Sequence, residues 1–269
     1  MTTNGEELNA RVRAMWSAVD YNPIATRETL VSELLVRHAE VHAGERVLDV
    51  ASGTGNTALA AARRDALVTA SDLVPANLER AASRAEVEGL RLRFEVGDAQ
   101  DLPFEDGSFD VVLSTFGAMY APDHQRAADE LLRVCRAGGR IGLVSWTPDG
   151  MAGVIQANNV ANLPVPPLAG PPPSQWGTER HCRELFGARV SALSAVVRSH
   201  EFCAPSARAQ AEFFRDHLPP LHAIYQTLTE ETREQLLGRL TGVFERFNQA
   251  TDGTLVAPSD YLEMIATVK

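Results

Sequence analysis

Between Glu45 and Trp146 short apolar runs alternate with longer amphipathic stretches, the rhythm of strand–helix units that build a mostly parallel sheet. The runs predict strands at Arg46–Val50, Leu67–Ser71, Leu92–Val96, Phe109–Thr115 and Arg140–Trp146. The intervening segments predict helices at about Thr57–Arg64, Pro75–Glu88 and His124–Arg136. Pro75 suits a first helical turn, and Gly138-Gly139 reads as a stop after Arg136. Upstream, Glu6–Val19 and Thr26–His42 read as two helices covering one end of the sheet.

The second half has another texture. Seven prolines fall between Pro148 and Pro173, which predicts a long connection rather than a helix, of the kind that serves as a lid. A short helix at Glu179–Phe186, a strand at Val190–Phe202, helices at Ala207–His217 and Leu228–Phe247, and a last strand at Tyr261–Val268 follow. Leu236, Leu237, Leu240, Val243, Phe244 and Phe247 share one helical face. Such a stripe is expected of core packing, and a lid over a ligand would show the same. The organisation expected is residues 1–44 as N-terminal helices over the site, 45–147 as a cofactor-binding α/β core, and 148–269 as a proline-rich loop, lid helices and the last two strands of the same sheet.

The chain has 269 residues, 45% hydrophobic and 22% charged, ample for a sizeable core. Its net charge of −10 opposes phosphate backbones, so nucleic acid is not the expected partner. Cys135, Cys182 and Cys203 form no CxxC pair, so neither a disulfide framework nor a metal ribbon is expected, and a reducing, cytoplasmic setting fits. The polar start and the lack of a long apolar run predict no leader and no membrane span.

The segment Val47-Leu48-Asp49-Val50-Ala51-Ser52-Gly53-Thr54-Gly55-Asn56 is a buried strand entering a glycine-rich turn and then a helix. Such a turn brings backbone N–H groups and a helix N-terminus close to a ligand. Asp72 ends the next strand, where a carboxylate can accept both ribose hydroxyls. Gly53 to Ala58 also satisfies the dinucleotide fingerprint G-x-G-x-x-G/A, so a nicotinamide-dependent oxidoreductase is a competing reading. Charge separates the two: Asp49 beside the turn would repel a pyrophosphate, and no base lies between Asp49 and Ala62. With Asp98, the three aspartates form an acidic rim suited to a cationic nucleoside, although each alone reads as a cap or turn residue.

In four ordered blocks the sequence resembles the class I S-adenosylmethionine-dependent methyltransferases, in the branch similar to ubiquinone/menaquinone-biosynthesis enzymes. The blocks are Val47 to Gly55, Ala70 to Leu73, Gly97 to Phe104, and Glu130 to Arg140. The resemblance implies a doubly wound, seven-stranded, mostly parallel Rossmann-like sheet with an antiparallel last strand and helical lid additions. It implies S-adenosyl-L-methionine as cofactor, with Asp49, Ala51, Ser52, Gly53, Thr54 and Gly55 around its methionine part and Asp72 on the ribose. Leu73 would pack on the adenine, Asp98 and Ala99 would meet its amino edge, and Ser114, Thr115 and Phe116 would lie beneath the sulfonium. Two departures stand out: Ala51 where many members have glycine, and Ala137 where proline usually precedes the paired glycines.

Methyl transfer from a sulfonium asks the protein for orientation, exclusion of water and, where the acceptor must lose a proton, a base. Ser114 to Tyr120 lacks the Asn/Asp-Pro-Pro-aromatic tetrad of the related nucleobase-amino methyltransferases, and no Pro-Cys nucleophile occurs. A small acceptor, methylated on oxygen or an activated ring carbon, is therefore expected, with an aromatic or quinone-like molecule favoured. Its pocket should draw on Phe116, Met119, Tyr120 and Trp146, with Trp16, Tyr21 and Trp176 able to close over it; ordinary packing accounts for rings as well. No motif selects a base. His217 and His222 flank Pro219-Pro220, Tyr21 and Tyr120 are alternatives, His38 and His42 read as helix-end residues, and His124 reads as a surface helix start. A methyltransferase-like binding protein without turnover also stays open, and no metal is expected.

Overall fold

The computed structural model describes residues 3–161 and 170–269. Five strands, β1 (Arg46–Val50), β2 (Leu67–Asp72), β3 (Arg93–Val96), β4 (Phe109–Thr115) and β5 (Cys135–Trp146), run parallel, and β6 (Val190–Ala204) and β7 (Leu255–Val268) complete the sheet. The order is β3-β2-β1-β4-β5-β7-β6, with β7 antiparallel to both of its neighbours. The expected doubly wound seven-stranded architecture is therefore present. Its order reverses between β1 and β4, the point at which an open α/β sheet leaves a crevice at the carboxyl ends of the strands.

Eleven helices are described: α1 (Thr3–Trp16), α2 (Asn22–Ala25), α3 (Thr29–His38), α4 (Asn56–Ala62), α5 (Pro75–Val87), α6 (His124–Val134), α7 (Met151–Ala161), α8 (Glu179–Phe186), α9 (Ala207–His217), α10 (Pro219–Thr227) and α11 (Glu230–Phe247). Val47, Leu48, Val111, Val112, Leu113 and Ile141 of the central strands are fully buried, as expected of strands covered on both faces. Close packing there is enforced at Gly142, where an added Cβ would come within 2.9 Å of Leu113 and 3.2 Å of the α3 residue Leu35.

Several sequence expectations are corrected. Gly138-Gly139 does not end a helix; α6 stops at Val134 and the glycines lie within β5. Gly138 takes φ +70°, and at Gly139 a Cβ would collide with Cys135 Sγ at 2.7 Å. The proline-rich stretch is not one connection, since α7 occupies Met151–Ala161 and a 3-10 turn occupies Pro173–Gly177. Residues 162–169 of that connection lie outside the described residues. Thr26–His42 divides into a 3-10 turn at Thr26–Glu28 and α3. The gap left between the helices expected at Ala207–His217 and Leu228–Phe247 holds α10, opened by Pro219-Pro220, where a missing N–H costs nothing at the first turn. The β6 and β7 strands run longer than expected and pair over nearly their whole length, from Val190↔Val268 to Ala204↔Leu255. Three helices, α9 to α11, are inserted between them. The stripe on α11 is core: Leu236, Leu237, Leu240, Val243 and Phe244 are buried.

Candidate active site

The crevice at the carboxyl ends of β1, β2 and β4 opens into a cleft of about 1070 Å³, its mouth included. Its floor is the turn after β1. Ala51 and Phe116 both adopt left-handed backbone, φ +52° and +55°, so the turns after β1 and β4 bend toward each other. Gly117 makes that approach possible, because a Cβ there would sit 2.3 Å from the Ala51 carbonyl oxygen.

Two aspartates brace the turn. Asp49 is buried, and its Oδ2 accepts the Ala58 N–H at 2.9 Å, while Oδ1 is buried with no hydrogen-bond partner. Burial pushes its pKa well up, the Ala58 N–H opposes this, and the neighbouring Asp72 charge adds to it. Asp72 accepts the Gly53 N–H through Oδ2 at 2.8 Å and the Val74 N–H through Oδ1 at 2.8 Å. Burial also raises its pKa, against those N–H donors. Asp98 accepts from Asn9 of α1 at 2.8 Å and from the Gln100 N–H at 2.9 Å, which draws α1 across the cleft.

The cleft gathers most of the residues singled out from sequence. Asp49, Ala51, Ser52, Gly53, Thr54, Asp72, Leu73, Asp98, Ala99, Thr115 and Phe116 line it, as do Trp16, Tyr21 and Tyr120. Gly55 lies behind the turn as the left-handed cap of α4, φ +89°, against Ala81. Ser114 is turned from the cleft, donating to the Val50 carbonyl at 2.7 Å and accepting the Ala118 N–H at 2.9 Å. Met119 is buried in the core, and Trp146 stacks flat on Phe116, centroids 3.7 Å apart, backing the wall rather than forming it. His217 reaches the Asp20 carbonyl at 3.4 Å and does not line the cleft. His124 begins α6 as expected but is buried, not on the surface, with Nδ1 2.9 Å from Nε2 of His181 on α8. Trp176, read as a possible cover for the pocket, is instead part of the core.

Sequence reasoning missed Asn9, Asn56, Thr57, Asn77 and above all Glu28. Glu28 is buried and lines the cleft, and Tyr21 Oη donates to its Oε2 at 3.0 Å. Burial lifts its pKa to about 8, opposed by the Tyr21 hydrogen bond. Trp16 packs edge-on against Tyr21 and Tyr120, with ring centroids 5.9 and 5.0 Å away. The only local signal for Glu28 was an acid near a helix start, which caps produce everywhere.

Four carboxyl side chains, Glu28, Asp49, Asp72 and Asp98, line the cleft, and among the described residues no arginine, lysine or histidine does. A pyrophosphate would find no cationic side chain to pair with here. An ammonium and a sulfonium would supply the cation that the unpartnered Asp49 Oδ1 lacks, so the residues present fit S-adenosylmethionine.

The fold and this cleft define a class I S-adenosylmethionine-dependent methyltransferase, and comparison with known proteins agrees. A methyltransferase domain family matches residues 47–139. The chain is 37% identical over 200 residues to the demethylmenaquinone methyltransferase of Thermus thermophilus, covering 68% of this chain and 90% of the relative. It is 40% identical over 224 residues to an uncharacterized protein of Mycobacterium tuberculosis, 82% of this chain and 81% of that one. The solved YcgJ protein of Bacillus subtilis shares the fold, with a TM-score of 0.61 at 21% identity over 88% of this chain and 98% of that chain. The chain thus belongs to the S-adenosylmethionine-dependent methyltransferase family, in its menaquinone-biosynthesis-like branch. Among the described residues no helix is long and apolar enough to cross a membrane, and no group of side chains has metal-holding spacing.

Proposed function

We propose that the protein methylates an oxygen or an activated carbon of a small aromatic or quinone-like molecule. The observation that carries this reading is the ring-lined part of the cleft, where Trp16 packs edge to face with Tyr21 and Tyr120 in the same cleft as the β1 turn. Flat rings against such walls gain apolar burial and edge-to-face contact. The Thermus relative, whose name gives a demethylated menaquinone as substrate, supports the same acceptor class.

When bound, S-adenosylmethionine supplies an electrophilic methyl group on sulfur. The chain's residues do the rest. Asp49 would pair with the ammonium, the Ser52 to Thr54 backbone would hold the methionine part, and Asp72 would take the ribose hydroxyls. Leu73 would pack on the adenine, with Asp98 and Ala99 at its amino edge. Thr115 and Phe116 would orient the sulfonium toward the ring chamber, and α1 with residues 1–44 would exclude water. On this reading 148–269 supplies lid helices that brace the N-terminal segment from behind, as Gln210 of α9 does at Arg27, together with the last two strands of the sheet.

A labelled-methyl assay over phenols, hydroquinones, aliphatic amines and oligonucleotides tests the proposal. Incorporation confined to hydroxylated or quinol rings is the expected result. Transfer only to amines or nucleic acid would overturn it.

A further inference from the structure

Glu28 sits in a place where a carboxyl is costly. The segment that carries it is strapped down: Asn56 donates to the Ala25 carbonyl at 2.6 Å, and Arg27 is turned outward to Gln210 of α9, over the Phe213 ring at 3.7 Å. Glu28 is thereby left 6% exposed, facing the cleft without its sequence neighbour's charge. The titratable groups facing it are two phenols, Tyr21 from the loop after α1 and Tyr120 from the 3-10 turn after β4, both with pKa values raised by burial and by the Glu28 charge. From α1 comes Trp16, from α4 Asn56 and Thr57, and from α3 Ser32, none of them charged. Asp49 and Asp72 are each fixed by backbone N–H groups at the glycine turn, whereas Glu28 is held by a phenol at the ring end. A buried carboxyl with no cation destabilises a fold, so its presence beside the acceptor chamber points to chemistry.

We propose that Glu28, oriented by Tyr21, is the base that takes the hydroxyl proton of an aromatic acceptor bound among Trp16, Tyr21 and Tyr120. The inference rests on the acceptor reading above. Tyr21 engages Oε2, so Oε1 is the oxygen offered to the acceptor. The acceptor O–H bond breaks and a carboxyl O–H bond forms. The electron pair left on the acceptor oxygen forms the new bond to the methyl carbon, and the pair of the broken S–C bond stays on sulfur; where the pair is delocalised to a ring carbon, that carbon afterwards gives its proton to water, the C–H pair returns to the ring and the ring oxygen is reprotonated. The proton leaves Glu28 to water when product departs. As burial sets the Glu28 pKa at about 8, the base form grows across the neutral to alkaline range.

The test is a set of kcat/KM–pH profiles with substituted phenols of differing acidity, all less acidic than Glu28, for the wild type, Glu28→Gln and Tyr21→Phe, alongside calorimetric binding of S-adenosylhomocysteine. The wild-type inflection is expected near pH 8 whatever the phenol. Glu28→Gln should lower kcat about 100-fold, the low end for a lost general base, and remove the inflection, with S-adenosylhomocysteine affinity within about twofold. Tyr21→Phe should move the inflection upward, because the donated hydrogen bond favours the carboxylate. Methyl transfer whose inflection follows the phenol's own acidity, or survives in Glu28→Gln, overturns the inference and leaves the acceptor reading standing. Should Glu28→Gln not fold, an unmoved inflection in Tyr21→Phe overturns it. Tight S-adenosylhomocysteine binding with no phenol bound or methylated overturns the acceptor reading and the base together.

Discussion

The Asp72 carboxylate accepts the Gly53 backbone N–H at 2.8 Å, so the end of one strand fixes the turn that follows another. With its second oxygen on the Val74 N–H, Asp72 is oriented before any ligand arrives. Asp49, one strand over, is oriented through one oxygen only and keeps the other unpaired.

This asymmetry predicts opposite signs for affinity and stability at Asp49. Asp49→Asn should weaken S-adenosylmethionine binding by roughly 10- to 100-fold, the worth of one charge-assisted contact. The same variant should hold or raise the unfolding temperature of the ligand-free protein, because a buried, cation-free carboxyl is removed. Calorimetry and thermal melts read both. Unchanged S-adenosylmethionine affinity would exclude Asp49 from the cofactor site.

Gly117→Ala should damage binding and folding together. The added methyl meets the Ala51 carbonyl at 2.3 Å and Ala51 Cβ at 2.7 Å, both on the opposing turn. Overpacking of this kind costs about 1–3 kcal/mol and would push the floor of the cleft apart. Urea denaturation and S-adenosylhomocysteine titration measure the two effects.

Trp146→Ala tests the second layer. Losing a buried tryptophan costs about 3–5 kcal/mol, and here it also frees the Phe116 ring stacked on it at an interplanar angle of 6°. Trp146→Phe should recover most of the stability. If Phe116 needs the backing to form the wall, Trp146→Phe will also recover cofactor affinity, measured by calorimetry at a temperature where both variants are folded.

The raised Glu28 pKa has a stability consequence separate from catalysis. Between its ordinary 4.5 and about 8 the folded protein keeps a proton that the unfolded chain releases. Stability from this group is therefore complete below about pH 4.5, declines as pH rises, and is fully lost above about pH 8, with a slope of at most about 1.4 kcal/mol per pH unit. Urea midpoints across that range should fall less steeply for Glu28→Gln than for the wild type.

The parallel core was legible in the sequence because short apolar-rich runs recur between longer amphipathic stretches: β1 and β4 match their expected limits to the residue. Proline misled twice for one reason. Averaged over Pro148 to Pro173 it hid the apolar and small residues of α7, and at Pro219 its fitness for a first turn went unused, so α10 fell in the gap between two expected helices. The residues expected to hold the cofactor were legible as one cleft lining because they cluster in contiguous turns. Glu28 was not, since it is buried in a cleft completed by residues as distant as Tyr120, which no local pattern encodes. Ser114 and Trp146 stand at the expected strand end, yet their side chains were taken by a carbonyl and by a ring stack.

The chain leaves the sheet at Ala204 and returns at Leu255, and these two residues are direct partners across neighbouring strands. Paired strands lie about 4.8 Å apart, so everything between them is an excursion whose two ends nearly touch. That excursion carries Gln210 and Phe213, which grip Arg27, and His217, which meets Asp20. It behaves as a cartridge clipped onto the sheet by a single doorway. A relative could lengthen, shorten or exchange the cartridge, and so reshape the chamber around Tyr21 and Glu28, without shifting one register of the sheet beneath.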